Sequence, residues 1–369
     1  MNLRLLPLAA LATFGILTTA ASAATPVPKF KIIRPLFRTI PHSVSWHHPA
    51  PPSAQLRQWD GSFTDHLGQT VNYTMVGTDP NTTNKRTVVP LYVIPIKMVY
   101  GAVNGNMTFD PMKAKVGRKT VLQRLLASPL FHPSIDYVQG GTDLGTAQYV
   151  DAYQRGNFWS VVQKHPRYHV KLGKAVILPE QEIDVNAAEG SVMTNPFGTK
   201  PVGTMEVDLF DQVIQGFLTQ FAGTITPDSF PLFVTNDVFL TEGFAVCCIG
   251  GYHSATAGHP SGQTYAYATY ETENGSFSQD VSAFSHEIGE WMDDPFTDND
   301  VNCGDNSLME NGDPLENNAN YGAFPYTVNG FTYNLQSLVF IGYFGAPPST
   351  SVNSWLSFQN DEQSVCPGQ

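Results

Sequence analysis

The chain has 369 residues, with 20 Lys or Arg against 32 Asp or Glu, and its formal net charge at pH 7 is −12. Such an acidic chain is a poor partner for the phosphate backbone of nucleic acids, so we expect no nucleic-acid binding. The length is compatible with one large domain carrying extended loops, and no fixed-period repeat is visible.

Residues 1–23 are typical of a cleavable signal peptide. Arg4 precedes the apolar stretch 5–17, and residues 21–23 read Ala-Ser-Ala, a small-x-small site suited to signal peptidase. The apolar stretch is too short to span a bilayer, and no later run reaches the ~18 apolar residues that a membrane helix requires. We therefore expect a secreted, extracytoplasmic protein with no membrane span.

Residues 24–85 are predicted to form a Pro-rich N-terminal arm or lead-in, followed by one domain over residues 86–369. Seven prolines fall between residues 26 and 52, a density typical of extended chain. The pair His47-His48 could bind a metal, but a surface pair in a Pro-rich arm is more typical of an inert site.

Hydrophobic periodicity then predicts both strands and helices. Strands are predicted at 88–99, 170–178, 231–240 and 264–271, and helices at 119–127, 146–162, 207–222 and 278–292. A Gly- and His-rich loop is predicted at 243–262. For the last helix, Ser276 or Ser278 is the expected N-cap and Asp294-Pro295 the expected end.

The last predicted helix contains Ser-His-Glu-Ile-Gly-Glu at residues 285–290. At about 100° per residue its apolar side chains gather on one side, namely Val281, Phe284, Ile288, Trp291 and Met292. His286 and Glu290 lie together on the opposite side, with Glu287 beside them. Two such ligands, one turn apart and facing a cleft, can hold one divalent ion, while Glu287 accepts a proton from the attacking water.

This segment resembles the HExxH helix of zincin metallopeptidases, with Glu290 in place of the second His. The resemblance implies an α+β fold, a zincin-like catalytic domain with a mixed sheet and an active-site helix, preceded by the Pro-rich arm. It also implies Zn²⁺ as the cofactor, His286 and Glu290 as ligands and Glu287 as general base. Two carboxylates with one imidazole make a harder donor set, which could favour another divalent ion.

A third ligand is expected from Glu310-Asn311-Gly312-Asp313. By analogy with thermolysin-like gluzincins, Glu310 would bind the metal and Asp313 would support His286. The longer pattern SHExxE, then Asp-Pro, then ExxD is also similar to uncharacterised secreted bacterial proteins and to the plant phosphate-induced, exordium-like family. In that comparison Asp313 is as good a ligand as Glu310, and the choice stays open.

Two further groups of residues carry possible chemistry. His253, or Tyr252 beside it, could donate a hydrogen bond to a developing oxyanion, and a loop His that only hydrogen-bonds is the alternative. Five aspartates follow the helix and would either face solvent or hold Ca²⁺, namely Asp293, Asp294, Asp298, Asp300 and Asp305. Because EF-hand spacing is absent, solvent is favoured over Ca²⁺.

The four cysteines are expected to form two disulfides in an exported chain. Neighbouring cysteines are poorly placed to bond with each other, so Cys247 and Cys248 are expected to pair with Cys303 and Cys366. A thiolate metal site is the less favoured alternative, because no CxxC spacing occurs.

These features predict a secreted metal-dependent hydrolase, a peptidase, whose partner is a peptide or protein substrate. The alternative is a non-catalytic wall-associated or carbohydrate-binding protein that keeps a degenerate zincin fold. The particular substrate, the metal and the oligomeric state are left open by the sequence.

Overall fold

The computed structural model describes residues 31–39, 54–195, 197–243, 246–275, 277–304 and 307–366, with secondary structure alone for 31–39. The predicted signal peptide, His47-His48, Ser276 and Asp305 lie outside these residues. Within them the fold is α+β with a mixed sheet, which confirms that part of the prediction.

The described residues contain five α-helices and many more strands. The helices are α1 (Val121–Leu125), α2 (Tyr149–Asn157), α3 (Trp159–Val162), α4 (Val207–Gln220) and α5 (Ser282–Asp293). The strands up to residue 147 are β1 (Lys31–Thr39), β2 (Gln58–Thr64), β3 (Thr70–Val76), β4 (Arg86–Val89), β5 (Leu91–Tyr100), β6 (Met107–Phe109), β7 (Lys115–Val116), β8 (Lys119–Thr120), β9 (Ile135–Gln139) and β10 (Thr142–Ala147). The later strands are β11 (His169–Leu172), β12 (Val176–Ile177), β13 (Gln181–Val185), β14 (Gly190–Met193), β15 (Val202–Glu206), β16 (Phe230–Asn236), β17 (Val238–Glu242), β18 (Val246–Ala255), β19 (Thr264–Tyr270), β20 (Ala323–Val328) and β21 (Phe331–Gln336).

The main sheet has the strand order β12-β5-β16-β19-β18-β17-β15-β14. β5, β16 and β19 run parallel, and β18 is antiparallel to β19. β1 pairs in parallel along β18, and Thr39 lies opposite His253. β1 pairs with β18 from Val246 to His253, so it occupies one edge of that strand. β17 pairs with the first part of β18 and β19 with the second part. Both of these strands must therefore lie on the other edge. Within the described residues, β1 is thus the only strand on that side of β18.

The alternation of Tyr and Ala in β19 separates the two faces of the sheet. Tyr265 and Tyr267 point into the hydrophobic cluster that contains Phe210 of α4. Ala266 and Ala268 belong to the other cluster, which contains the apolar side of α5. Small side chains on this face let α5 pack close to the sheet, which places its polar side chains next to β18.

Helix α5 buries the predicted apolar side and ends where predicted, with Asp294 as C-cap before Pro295. It begins four residues later than predicted, after Val281, and no side chain caps its first turn. Ser278 is not the cap, because its hydroxyl donates to Glu271 Oε2 at 3.1 Å instead.

Two predicted elements near the site are wrong. The predicted strand 231–240 is two strands, because the chain turns at Asp237, where φ is +50°. The predicted loop 243–262 contains β18, a fully paired ten-residue strand. Its two glycines, Gly250 and Gly251, are poor strand formers, but Gly251 lies against α5, where a Cβ would come within 2.7 Å of Glu287.

Three other predicted elements were too long. The predicted helix 119–127 is only α1, which Thr120 and Gln123 begin with a capping box. The predicted helix 146–162 is interrupted at Phe158, whose φ and ψ are not helical. The predicted strand 170–178 is divided between β11 and β12.

Part of the predicted N-terminal arm packs into the domain core. β2 and β3 form an antiparallel hairpin. Trp59, Tyr73 and Met75 of this hairpin are buried in the same cluster as the apolar side of α5. Residues 58–76 therefore contribute to the hydrophobic core.

The two disulfides confirm that no cysteine is free, but the predicted pairing is wrong. Cys303 bonds to Cys366, with Cα atoms 5.9 Å apart, and Cys247 bonds to Cys248. The vicinal pair lies in β18, in a separate hydrophobic cluster with Phe239, so Cys303 and Cys366 are left to bond with each other. None of the described helices combines the length and apolar character that a membrane span needs.

Candidate metal centre

Six side chains capable of binding a metal or moving a proton meet between β18 and α5. They are His253 from β18, His286, Glu287 and Glu290 from α5, and Glu310 and Asp313 from the chain that follows. All six are buried. The structure therefore brings together these six predicted residues. Tyr252, the predicted alternative to His253, belongs to the cluster on the other face of the sheet and donates to Asp211 at 3.0 Å.

One group of three consists of His286, Glu290 and Asp313. His286 Nε2 lies 2.8 Å from Glu290 Oε1 and 3.3 Å from Asp313 Oδ1. Around tetrahedral zinc, with bonds of ~2.0–2.1 Å, neighbouring ligand atoms lie about 3.3 Å apart. The His286–Asp313 distance matches that spacing, the His286–Glu290 distance is shorter, and all three ligand atoms lie within 4.8 Å of one another.

Gln336 of β21 orients the ring of His286, a role that sequence reasoning missed. The Gln336 amide nitrogen donates to the Gly312 carbonyl at 2.9 Å, so its oxygen is the atom that faces His286 Nδ1 at 2.7 Å. An amide oxygen only accepts, so Nδ1 carries the proton and Nε2 presents a lone pair to Glu290 and Asp313. No sequence signal links residue 336 to the helix, because the contact depends on how the antiparallel hairpin of β20 and β21, the C-terminal hairpin, packs against α5.

The second group of three consists of His253, Glu290 and Glu310, whose ligand atoms lie within 4.8 Å of one another. His253 Nε2 donates to the Asp294 carbonyl at 3.0 Å. Its Nδ1 lies 3.6 Å from Glu290 Oε2 and makes no hydrogen bond with the residues that the structure describes. Burial lowers the pKa of His253 to about 3, so the ring is neutral.

Glu287 lies beside both groups and is completely buried. Neither carboxylate oxygen has a hydrogen-bond partner among the described residues, and His253 Nδ1 lies 3.5 Å from Oε2. Burial raises the pKa of Glu287 well above its usual value, and the carboxyls of Glu290 and Glu310 raise it further. Burial, followed by Asp313, likewise raises the pKa of Glu290.

Two glycines make room for these side chains. A Cβ at Gly251 in β18 would lie 2.7 Å from Glu287 Cγ and from Oε1. A Cβ at Gly312 would overlap the His286 ring. Both distances are far below ordinary contact, so the absence of a side chain at these positions is what lets strand and loop close on α5.

The donor set fits a divalent transition metal. Imidazole with carboxylates suits zinc and its neighbours, whereas Ca²⁺ takes 6–8 oxygen ligands. In the described residues, no Lys or Arg forms an ion pair with Glu287 or Glu290. Burying a carboxylate without a cation costs folding free energy, and a metal ion held by these side chains would offset that cost.

The predicted cleft is absent around these residues: His286 and Glu287 are 0% exposed and Asp313 is 8% exposed. The prediction that the polar side of α5 faces an open cleft was therefore wrong, because β18 and the segment after α5 cover it. β1 lies along the β18 edge next to His253 and adds to this cover.

The aspartates after α5 do not all face solvent as expected. Asp298 and Asp300 are exposed, but Asp293 and Asp294 are buried. Asp293 accepts from the Tyr153 hydroxyl at 2.7 Å, and burial raises its pKa to about 6. Asp294 accepts from the backbone N–H of Asp298 at 3.0 Å. Both side chains accept hydrogen bonds at the C-terminal end of α5, so neither is assigned to a cation site.

The cluster therefore offers two groups of potential ligand atoms, both containing Glu290, and the buried carboxyl of Glu287, which makes no hydrogen bond with the described residues. No protein-family model matches this chain, and neither a curated protein nor a solved structure matches it.

Proposed function

We propose that this protein is a zincin-like metal-dependent hydrolase that acts on peptides, with Glu287 as its general base. One observation carries the proposal: the Glu287 carboxyl is buried, and neither of its oxygens hydrogen-bonds to a described residue. Burial and the nearby carboxyls of Glu290, Glu310 and Asp313 raise its pKa, which places it close to both groups of ligand atoms. Burying a carboxylate that accepts no hydrogen bond costs folding free energy. Buried groups of this kind are concentrated in active sites, where their shifted pKa serves the reaction.

His286, Glu290 and Asp313 are the residues that would hold the ion. A divalent ion there would act as a Lewis acid on the scissile carbonyl. Gln336 keeps the proton of His286 on Nδ1, which leaves Nε2 available for binding.

Glu287 is suited to proton transfer because its environment favours the protonated carboxyl. A general base works best when its pKa lies near the working pH, and burial shifts the pKa of Glu287 in that direction. Its Oε2 would accept a proton from the attacking water and pass it to the leaving amine. In this proposal His253 is no oxyanion donor, because its Nε2 proton is already used by Asp294.

The arrangement of β18 supports a peptide as the substrate. β18 runs antiparallel to its neighbour in the sheet and lies against the helix that carries Glu287. β1 pairs along one edge of β18 up to His253, so an extended peptide would bind at this edge in the place of β1. Strand addition of this kind recognises peptide backbone through main-chain hydrogen bonds.

A second candidate function follows from the burial of the site. If the covering segments never open, the same side chains would form a closed structural metal centre in a non-catalytic secreted protein, such as a wall-associated or carbohydrate-binding one. Full enclosure of His286 and Glu287 favours this candidate.

Substitution of Glu287 separates the two candidates. Glu287→Gln keeps the shape of the side chain but removes the base, so zinc content should persist while hydrolysis of a peptide library falls about 10²-fold or more. His286→Ala should lose both zinc and hydrolysis. Glu182→Gln is the control, because Glu182 forms only a partly exposed ion pair with Lys97.

Peptide hydrolysis that stays unchanged in Glu287→Gln would contradict the catalytic role. A wild-type protein that binds zinc but cleaves no peptide would favour the closed structural centre. A wild-type protein that binds no zinc would exclude both candidates.

A further inference from the structure

We propose that this centre binds two divalent transition-metal ions, with His253, Glu290 and Glu310 forming a second site and Glu290 shared between the two. The proposal rests on the proposed function for its first site, the one formed by His286, Glu290 and Asp313. Nothing in the motif on α5 implies the second site, because its His comes from a strand.

The buried imidazole of His253 carries the argument. Its Nε2 proton is committed to the Asp294 carbonyl, an acceptor. Its other ring nitrogen, Nδ1, lies 3.5 Å from Glu287 Oε2 and 3.6 Å from Glu290 Oε2, and it makes no hydrogen bond with a described residue. Three electron-rich atoms therefore face one another in the interior, and such an arrangement requires a proton or a metal ion between them.

The two oxygens of Glu290 face different imidazoles. Oε1 lies 2.8 Å from His286 Nε2, and Oε2 lies 3.6 Å from His253 Nδ1. A single carboxylate in this position can bind one ion through each oxygen. Paired ions bridged in this way are common in hydrolytic centres, where the two ions together stabilise charge on the reacting oxygens.

Glu310 completes the second group. One of its carboxylate oxygens lies within 4.8 Å of a ring nitrogen of His253 and of a Glu290 oxygen. The sequence offered Glu310 and Asp313 as alternatives for one ligand position. In the structure they lie in different groups, so each would serve its own ion.

The donor set identifies the class of ion. One imidazole and two carboxylates make up each group, which suits Zn²⁺, Mn²⁺ or Co²⁺ better than the oxygen-only preference of Ca²⁺. The simpler alternative is a proton on Glu287 or Glu290, which would make that carboxyl a neutral hydrogen-bond donor beside His253 Nδ1. Counting bound ions distinguishes a proton from a metal.

The test is the zinc stoichiometry of the full secreted chain after dialysis against Zn²⁺ and then against metal-free buffer, measured by elemental analysis. We expect two zinc ions per wild-type chain and one in His253→Gln. Glu310→Gln should also bind one, which keeps the test decisive if His253→Gln does not fold. His259→Gln is the matched control, since His259 is exposed at the surface and lies outside both groups.

The number of bound zinc ions tests the second metal site separately from the proposed function. One zinc ion in the wild type, unchanged in His253→Gln and Glu310→Gln, would overturn the second site and leave the first intact. No zinc in the wild type would overturn both. Thermal melting with and without Zn²⁺ gives a second readout, since loss of one site should lower the metal-induced rise in melting temperature without abolishing it.

Discussion

Gln336 and His286 are 50 residues apart, yet the Gln336 side-chain oxygen accepts the proton of His286 Nδ1 at 2.7 Å. The backbone N–H of Gln336 also donates to the Ser285 hydroxyl, next to His286 in α5. The hairpin of β20 and β21 therefore holds His286, a ligand in the proposed metal centre, in one tautomer and one orientation.

We expect Gln336→Leu to weaken zinc binding by about 10–100-fold, the usual effect of losing the hydrogen bond behind a ligand histidine. Gln336→Glu should retain more affinity, because a carboxylate can still accept from Nδ1. Competition with a chromogenic chelator measures both constants. Equal affinities in wild type and Gln336→Leu would show that Gln336 does not orient the ligand.

The variant Gly251→Ala tests whether β18 needs a residue without a side chain to approach α5 closely. A methyl group there would meet Glu287 at 2.7 Å and the Tyr267 carbonyl at 2.9 Å. Gly251→Ala should therefore lower the free energy of unfolding by about 1–3 kcal/mol, the usual cost of overpacking.

Gly216 in α4 is the matched control for Gly251. A methyl group at Gly216 would meet no heavy atom within 4 Å, and the residue lies on an exposed part of the helix. Gly216→Ala should raise the free energy of unfolding by up to about 1 kcal/mol, through helix propensity. Denaturant unfolding compares the two variants, and the same sign of change in both would contradict this interpretation.

Glu271 should make stability depend on pH. Burial raises its pKa from 4.5 to about 8, although the Ser278 and Phe277 backbone N–H groups donate to it. The folded state therefore holds this proton more tightly than the unfolded state does. The resulting stabilisation is complete below about pH 4.5 and is lost as pH rises to about 8, with a slope of at most about 1.4 kcal/mol per pH unit.

The variant Glu271→Gln cannot ionise, so it should show a shallower fall in the free energy of unfolding between about pH 5 and about pH 8. Glu273→Gln is the control: Glu273 is at the surface and its pKa is lowered, so its contribution changes only at lower pH. An identical slope in wild type and Glu271→Gln would refute this account of Glu271.

The Cys303–Cys366 bond should be the disulfide that matters for stability. It joins residues 63 positions apart, and closing a loop of that length restricts the unfolded chain by about 4 kcal/mol in the chain-entropy description. The double variant Cys303→Ala, Cys366→Ala should lose stability of that order. Non-reducing peptide mapping checks the pairing, and a cross-link between Cys303 and Cys247 or Cys248 would contradict it.

Much of the site could be predicted from the sequence because it depends on local periodicity. The spacing of His286 and Glu290 on one helix, and the apolar side behind them, follow from 3.6 residues per turn. The convergence of Glu310 and Asp313 on that helix was predicted only by resemblance to other proteins. The structure confirms their proximity and assigns them to different groups.

The rest depends on long-range packing, which no local pattern contains. β18 looked like a loop because its glycines are poor strand formers, although they are what lets α5 approach it. The enclosure of His286 and the contact with Gln336 require the C-terminal hairpin in place. The cysteine pairing likewise depends on which cysteines the finished fold brings together, and spacing alone favoured the wrong partners.

The covalent loop closed by Cys303 and Cys366 contains Glu310, Asp313 and Gln336, whereas His253 and α5 lie outside it. Three of the seven side chains around the proposed centre are thus carried on a covalent ring that begins soon after α5 ends. The ring restricts the unfolded chain, so these side chains explore a smaller volume before they meet the helix. Reduction of the disulfide would remove that restriction, and the proposed centre would then assemble less readily under reducing conditions than under oxidising ones.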